Sequence, residues 1–159
     1  MGRVILFIIG IGVAIGAFMP SGHTRGGGNP HRVSQPSEPA KETLLERSDS
    51  GHFYTYAKVN GELVHFVVDT GADVVALTVD DAERLGIPVN PSNFTVIGEG
   101  ASGPVRGENV TIDSIEVDGK LVNDVDGVVL ADSNMSLLGQ SYLSRMGEVQ
   151  MRGDYMVLR

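Results

Sequence analysis

One stretch of eight residues, FVVDTGAD at positions 66–73, constrains the fold of this chain more than any other. Phe and Val are typical of buried strands, and Gly71 opens backbone angles that a β-branched residue does not tolerate. The stretch therefore predicts a buried strand that ends at Asp69 and then turns sharply. A carboxylate at the end of a rigid strand is held in a fixed position, as a catalytic group must be. The alternative is an ordinary Asp–Gly turn without a chemical role.

Turn and cap signals place this stretch inside a β-rich domain. The dipeptide Asn60-Gly61 favours a two-residue hairpin between strands at about 53–59 and 63–69. Thr78 is a typical helix N-cap and Gly86 is a typical C-terminal stop, so together they predict one short helix after the Asp-Thr-Gly turn. Alternating strands and tight turns continue to the end of the chain, which indicates a mainly β fold.

A glycine-rich tip lies about 30 residues after the Asp-Thr-Gly turn, between short strands at 94–97 and 105–106. It contains Gly98, Gly100, Ala101 and Gly103. So many glycines between two strands predict a mobile hairpin. Such a hairpin is either an ordinary surface loop or a lid that closes over a bound substrate.

The sequence VNGELV at 59–64 recurs as VDGKLV at 117–122, 58 positions further on. Each copy begins with a predicted tight hairpin, at Asn60-Gly61 and at Asp118-Gly119, and leads through a strand to an apolar pair, then a glycine and later a short helix. In the second copy the apolar pair is Leu137-Leu138, followed by Gly139. Two copies are too few for a solenoid but fit two similar halves around a local twofold axis.

The D-T-G-A-D run, the glycine-rich hairpin and the later L-L-G element together resemble the retropepsin-like (retroviral-type) aspartic proteases, over residues 52–158. The resemblance implies an all-β fold, mainly β with one or two short helices. It also implies a closed, barrel-like protease lobe that functions as a homodimer. One departure is Gln140, because retroviral enzymes often continue this glycine with Arg or Asn.

The resemblance assigns roles to individual residues. Asp69 matches the catalytic carboxylate. Thr70 would form hydrogen bonds across the dimer axis, and Asp73 would either contact the substrate backbone or cap its own loop. The residues expected to support the active site are Thr70, Gly71, Ala72, Leu138 and Gly139, and those expected to bind substrate are Asp73, Gly98, Gly100, Ala101 and Gly103.

This chemistry needs two carboxylates that face one water molecule. The chain has one Asp-Thr-Gly, and Asp132-Ser133-Asn134 lacks the glycine that a second motif would need. The resemblance therefore implies a homodimer in which each copy contributes Asp69 to a peptidase that cleaves protein or peptide substrates. The alternative is a non-catalytic, membrane-tethered module for dimerisation or peptide binding, in which Asp69 is only a turn residue.

The N-terminal part differs in composition from the rest. Residues 4–19 are uncharged and nearly all apolar, equivalent to roughly 24 Å of helix, slightly short of a bilayer core of about 30 Å. We expect residues 1–20 to form a transmembrane signal-anchor or signal peptide, 21–50 a flexible linker and 51–159 the protease domain. Bacterial membrane-anchored retropepsin-like proteases share this layout and the DAERLG stretch at 81–86. Single-pass anchoring with an extracytoplasmic domain and with membrane or periplasmic substrates is therefore expected.

Charge and residue content exclude several functions. Residues 46–159 hold eight Lys/Arg and eighteen Asp/Glu, a net charge of −10, which is unfavourable for binding nucleic acid. The chain has no cysteine and only four scattered histidines, so we expect no metal and no cofactor. It also lacks a G-x-S-x-G nucleophile element and a phosphate-binding loop.

Overall fold

A computed structural model describes residues 41–100 and 103–159. It contains ten strands, two α-helices and one short 3₁₀ helix at Pro91–Asn93. The strands are β1 (Thr43–Glu46), β2 (Tyr54–Val59), β3 (Glu62–Val68), β4 (Val75–Thr78), β5 (Thr95–Gly100), β6 (Gly103–Val117), β7 (Lys120–Leu130), β8 (Ser136–Leu138), β9 (Val149–Arg152) and β10 (Tyr155–Leu158). The helices are α1 (Val79–Arg84) and α2 (Gln140–Leu143).

Six strands close into a barrel. Their order is β2-β3-β8-β4-β7-β6, and β6 returns to β2 through the pairs Lys58↔Glu116 and Val59↔Ile115. Strand β5 extends this sheet as the outer strand of a hairpin with β6. Strands β1, β10 and β9 form a separate three-stranded sheet. The predicted fold, mainly β with two short helices and a closed barrel-like lobe, is confirmed.

The two repeated segments form equivalent hairpins. Asn60 and Gly61 have φ angles of 51° and 93°, and Asp118 and Gly119 have φ angles of 47° and 81°. Positive φ at both central residues is the turn geometry that matches the right-handed twist of the flanking strands. The β2–β3 and β6–β7 turns are therefore those predicted from Asn-Gly and Asp-Gly.

The two halves exchange strands reciprocally. Strand β3 of the first half pairs in parallel with β8 of the second, and β7 of the second half pairs in parallel with β4 of the first. Parallel pairs between distant segments bury both faces of the strands, which fits their continuous Val and Leu runs. This reciprocal pairing is the local twofold arrangement that the repeat predicted.

The main core fills the barrel. It includes the fully buried Phe66, Leu77, Ile112, Leu138 and Tyr142. Each such side chain contributes roughly 1.5–3 kcal/mol through removal of apolar surface from water. The Tyr142 hydroxyl donates to the carbonyl of Lys120 at 2.7 Å, and burial raises the pKa of this phenol, so it stays a neutral donor.

The N-terminal boundary differs from the prediction. Residues 43–46, predicted to lie in a flexible linker ending at residue 50, form strand β1 and pair with β10. Leu45 points into the core, which gives this short segment its apolar contact. The predicted anchor at 1–20 lies outside the described residues. Among the residues that the structure describes, no helix has the length and apolar character needed to cross a membrane.

Helix α1 is attached to the barrel through a polar network around Asp81. The Thr78 side chain caps the helix by accepting from the Asp81 N–H at 3.1 Å. Ser136, almost fully buried on β8, donates its hydroxyl to Asp81 Oδ2 at 2.6 Å and accepts from the Thr78 N–H at 3.1 Å. Arg84 donates to the other carboxylate oxygen at 2.7 Å. Burial alone would raise the pKa of Asp81, but the hydrogen bonds from Ser136, Arg84 and Thr78 outweigh it and lower this pKa.

A carboxyl group with a lowered folded-state pKa stabilises the fold when ionised, above its usual value of 3.8, and this stabilisation is lost as the pH falls through the folded-state pKa. We therefore expect Asp81→Asn to lower the free energy of unfolding by about 1–3 kcal/mol at pH 7. The difference from wild type should shrink below pH 4. Urea unfolding at several pH values measures it. The exposed Asp113 supplies the control Asp113→Asn, and an equal, pH-independent loss in both variants would contradict the network.

Candidate active site

Asp69 directly follows β3, and three hydrogen bonds hold it. Its N–H donates to the carbonyl of Leu138 at 3.1 Å, and its carbonyl accepts from the Ala72 N–H at 3.3 Å. Its Oδ1 accepts from the Gly71 N–H at 2.9 Å. The residue is half-buried, so the carboxylate is fixed by the turn while still reaching solvent.

Gly71 lets the backbone approach this carboxylate closely. A Cβ at this position would lie 3.3 Å from Asp69 Oδ1, tighter than ordinary van der Waals contact. Ala72 follows and is buried with 2% exposure, so the turn is anchored immediately after the carboxylate. A larger residue at position 71 would have to displace the group whose position the turn fixes.

Strand β8 supports the turn from beneath. Val68 pairs in parallel with Leu138, and Gly139 then passes beneath the turn. A Cβ on Gly139 would lie 2.2 Å from the Val74 carbonyl oxygen and 2.8 Å from that of Ala72, distances that no side chain tolerates. Leu138 and Gly139, which the sequence assigned to active-site support, therefore lie against the Asp-Thr-Gly turn.

The first turn of α2 binds the same loop. The Gln140 N–H donates to the Ala72 carbonyl at 2.8 Å, and the Ser141 N–H donates to the Asp73 carbonyl at 2.9 Å. These donors are free to bond outside the helix because the first N–H groups of a helix have no intrahelical acceptor. The close passage at Gly139 brings them within hydrogen-bond distance of the loop.

Two supporting residues were not identified from the sequence. The Gln140 side chain donates from Nε2 to the Thr70 carbonyl at 2.8 Å. The Ser141 hydroxyl accepts from the Val75 N–H at 2.9 Å and donates to the Asp126 carbonyl at 2.6 Å. In the sequence, Gln140 stands out only as a departure from the retroviral enzymes, and that departure is the available signal. The sequence around Ser141 contains no such signal, because the residues that Ser141 contacts are distant in the chain.

Thr70 and Asp73 lie on the exposed side of the turn. The Thr70 hydroxyl forms no hydrogen bond within residues 41–100 and 103–159, although its carbonyl is held by Gln140. The Asp73 carbonyl is held by Ser141. Both residues are exposed, and hydrogen bonds from α2 hold their backbone carbonyls.

A second apolar cluster lies on the opposite side of the same strands. Successive residues of a strand point to opposite faces, so Val68 and Leu138 enter the main core while Val67 and Leu137 face this cluster. Its buried members are Ala76, Val128, Leu130 and Leu137, with Val67, Val74, Ile97 and Val105 packed against them. Val67, two positions before Asp69, is the residue of β3 that packs against this cluster.

The glycine-rich hairpin packs on this cluster. Ile97 of β5 and Val105 of β6 supply the contacts. Gly98, Gly100 and Gly103 lie in this hairpin, and Gly103 has a φ angle of 115° that favours glycine. Ala101 lies outside the described residues. In the part of the chain that the structure describes, Asp69 forms hydrogen bonds within its turn and to Leu138 but none to the hairpin.

Within 41–100 and 103–159, no group of three or more His, Asp or Glu side chains is placed to hold a metal ion. What the described residues bring together at the turn is the half-buried Asp69 and a neighbouring apolar surface.

The contact geometry at Gly139 generates a stability prediction. Gly139→Ala should destabilise the domain by more than about 3 kcal/mol, or prevent folding, because the added methyl overlaps two backbone carbonyls. Gly147→Ala is the matched control, since its Cβ would meet nothing closer than 3.4 Å. Thermal unfolding followed by circular dichroism gives both values. Similar melting temperatures for the two variants would contradict the close passage.

Comparison with known proteins places these features in a family. The family model described as "gag-polyprotein putative aspartyl protease" matches residues 55–145. A retropepsin-like aspartic protease from Rickettsia conorii is 32% identical, with a TM-score of 0.62 over 74% of this chain and 88% of that chain. The EIAV protease complexed with the inhibitor HBY-793 is 24% identical, with a TM-score of 0.52 over 62% of this chain and 91% of its own, and supports the fold alone.

The curated relatives that match this chain are longer than the chain itself. An uncharacterized protein in the cobV 5′ region of a Sinorhizobium species is 36% identical over 125 residues, which is 77% of this chain and 54% of that protein. An uncharacterized protein of Rickettsia prowazekii is 34% identical over 117 residues, 74% of this chain and 51% of its own. The chain thus spans about half the length of these relatives. The family match and the Rickettsia conorii structure show that the chain belongs to the retropepsin-like aspartic proteases.

Proposed function

We propose that this chain is an aspartic endopeptidase whose active form is a homodimer with one Asp69 from each copy. The observation that carries the proposal is the setting of the Asp69 carboxylate. Gly71 fixes Oδ1, while Oδ2 accepts no hydrogen bond within residues 41–100 and 103–159 and is open to a water molecule. A purely structural turn residue has no need of a half-exposed carboxylate supported by a second strand and a helix.

The reaction follows from two such carboxylates facing one water. One carboxylate is ionised and takes a proton from the water as its oxygen attacks the scissile carbonyl carbon. The other is protonated and donates to the carbonyl oxygen, so a tetrahedral gem-diol forms without a separated charge. Two like carboxylates close together favour this state with one shared proton. The carboxyl that took the water proton then donates it to the amide nitrogen as the C–N bond breaks. The other carboxylate takes a hydroxyl proton from the gem-diol, which leaves a carboxylic acid and an amine and restores both Asp69 groups.

An extended peptide is the substrate that the surroundings of Asp69 favour. The apolar cluster around Leu137 offers a surface for aliphatic side chains, and the β5–β6 hairpin packs on that cluster. A hairpin of this kind can lie over a bound peptide and exclude water from the reaction. Asp73 is exposed just after the turn, and in this proposal it contacts the backbone of the bound peptide.

We further propose that the apolar segment at 4–19 anchors the chain in a membrane, with the protease domain outside the cytoplasm. Substrates would then be membrane or periplasmic proteins. Anchoring also raises the local concentration of the domain, so that a weak dimer can form in the plane of the membrane.

The catalytic assignment predicts that Asp69→Asn abolishes peptide cleavage, by about a thousandfold or more, while the melting temperature stays close to that of wild type. The amide cannot accept the proton of the attacking water. The measurement is cleavage of an unfolded protein substrate by the full chain in mild detergent. Specific activity of the wild type should rise with enzyme concentration, because two copies form one site.

Asp132→Asn is the control, since Asp132 is exposed and lies in the Asp-Ser-Asn turn that lacks the motif's glycine. It should retain wild-type activity. Equal cleavage by wild type and Asp69→Asn would contradict the assignment. Dimerisation and peptide binding without any cleavage would favour the non-catalytic binding module.

A further inference from the structure

Strand β9 has an open edge. It pairs with β10 on one side, and no described strand pairs with its other side. The N–H and C=O groups of Glu148 form both hydrogen bonds with Arg159, so they point towards the β10 side. Because direction alternates along an antiparallel strand, Gln150 also points towards β10, whereas Val149 and Met151 direct their backbone groups outward. Unpaired groups at a sheet edge form a template for another strand.

A pocket of about 350 Å³ lies beside this edge. Val149 forms one wall, and Thr70 and Gln140, which belong to the active-site turn and its support, form another. The remaining lining residues are Leu143, Ser144, Met146, Gly147 and Glu148. The open edge is thus connected by one continuous surface to the residue that follows Asp69.

We infer that β9 pairs antiparallel with β9 of a second copy of this chain. The two three-stranded sheets then become one six-stranded sheet across a twofold axis. This inference rests on the proposed function, because a site with one Asp69 per chain is incomplete without the partner. Each protomer contributes an intact β1-β10-β9 sheet, so the dimer needs no exchange of strands between copies.

The outward backbone N–H and C=O groups of Val149 and Met151 determine the register between the two β9 strands. An axis at Gln150 sets Val149 opposite Met151 of the partner subunit, and Met151 opposite Val149 of the partner subunit. Every outward N–H of these residues then meets an outward C=O of the other copy. Registers centred on Val149 or on Met151 bring turn residues opposite β9 and pair fewer of these groups.

The positions of the side chains on and beside β9 are consistent with this register. Met151 is 53% exposed, and its Sδ accepts a hydrogen bond from Arg47 Nη2 at 3.6 Å in its own protomer. The register lays its side chain over Val149 and the pocket of the other copy.

Glu148, whose Oε2 already accepts from Arg159 Nη1 at 2.6 Å, comes to lie opposite Arg152 of the partner subunit. Arg152 is exposed and has no ion-pair partner among the residues described within its own protomer. In this register an apolar side chain contacts an apolar surface of the other copy, and an acidic side chain lies opposite a basic one.

Gln150 supplies an independent observation. Its Oε1 is buried without a hydrogen-bond partner, the one such side-chain atom in the described part of the chain. Native proteins pair nearly all such atoms. On the proposed axis the two Gln150 residues face each other as a non-hydrogen-bonded pair with Cα atoms about 4.5 Å apart. After a change of rotamer, the amide of each copy can donate to the carbonyl oxygen of the other.

A single-cysteine experiment tests the register directly, since the chain has no cysteine of its own. In the full chain in mild detergent, Gln150→Cys should form a disulfide-linked dimer on mild oxidation, because the expected Cα separation suits a disulfide. Leu44→Cys is the matched control: Leu44 is 60% exposed and lies in the same cross-strand row, on the opposite edge of the sheet. It should give at least about tenfold less linked dimer. Equal linking by both variants, or none by Gln150→Cys, would overturn the inference.

A second variant tests the surface without a covalent link. Met151→Asp places a carboxylate over an apolar pocket, so the dimer dissociation constant measured by sedimentation should rise by about tenfold or more. Leu63→Asp is the control, since Leu63 is 60% exposed on β3 of the barrel and should leave dimerisation unchanged. Unchanged dimerisation of Met151→Asp would count against the β9 surface.

Failure of this inference can be separated from failure of the proposed function. If wild type cleaves substrate as a dimer while Gln150→Cys does not link and Met151→Asp dimerises normally, the β9 surface is wrong and the protease assignment stands. If Gln150→Cys links selectively but wild type never cleaves, the surface stands and the catalytic assignment is wrong.

Discussion

The close passage of Gly139 beneath the Asp-Thr-Gly turn is the contact on which the rest of the site depends. No side chain fits there, since an added Cβ would meet the carbonyl oxygens of Val74 and Ala72. Because the two segments can approach so closely, the first amides of α2 reach the carbonyls of Ala72 and Asp73. The turn after Asp69 is therefore held by hydrogen bonds from a different part of the barrel.

This support comes from the second half of the chain, and the reciprocal pairing of β3 with β8 and of β4 with β7 makes it possible. Each half therefore supplies a strand that pairs with a strand of the other half. Rigidity at Asp69 is thus a property of the whole barrel. A carboxylate held by distant strands in this way is preorganised, which is the property that the proposed reaction requires.

The barrel and the three-stranded sheet have different roles in the domain. The barrel fixes one carboxylate, and the smaller sheet of β1, β10 and β9 carries an open edge next to the residues that support that carboxylate. If the edge pairs with its counterpart in a second copy, assembly and completion of the active site become one event. Activity would then depend on the concentration of the domain, which a membrane anchor raises without any new contact.

Sequence signals were reliable for turns and helix caps, which are formed by residues close together in the chain. Asn60-Gly61 and Asp118-Gly119 form the expected hairpin turns, and Thr78 caps α1 as expected. Strand β1 was missed because residues 43–46 follow a polar, glycine-rich segment and acquire their strand geometry only by pairing with β10. The bonds that Ser136 makes to Thr78 and Asp81 were missed for a similar reason, since residues 55 positions and more apart in the chain meet there.

The sequence by itself determined the turn types, the strand that leads into Asp69, the twofold repeat and the family resemblance, because each depends on residues close together in the chain or on a repeated pattern. Only the tertiary structure decided that Gln140 and Ser141 hold the active-site loop, and that β9 is left with a free edge beside it. Those features depend on which distant segments become neighbours when the barrel closes. Strand pairing and burial of the core set that outcome, and no single stretch of the chain encodes it.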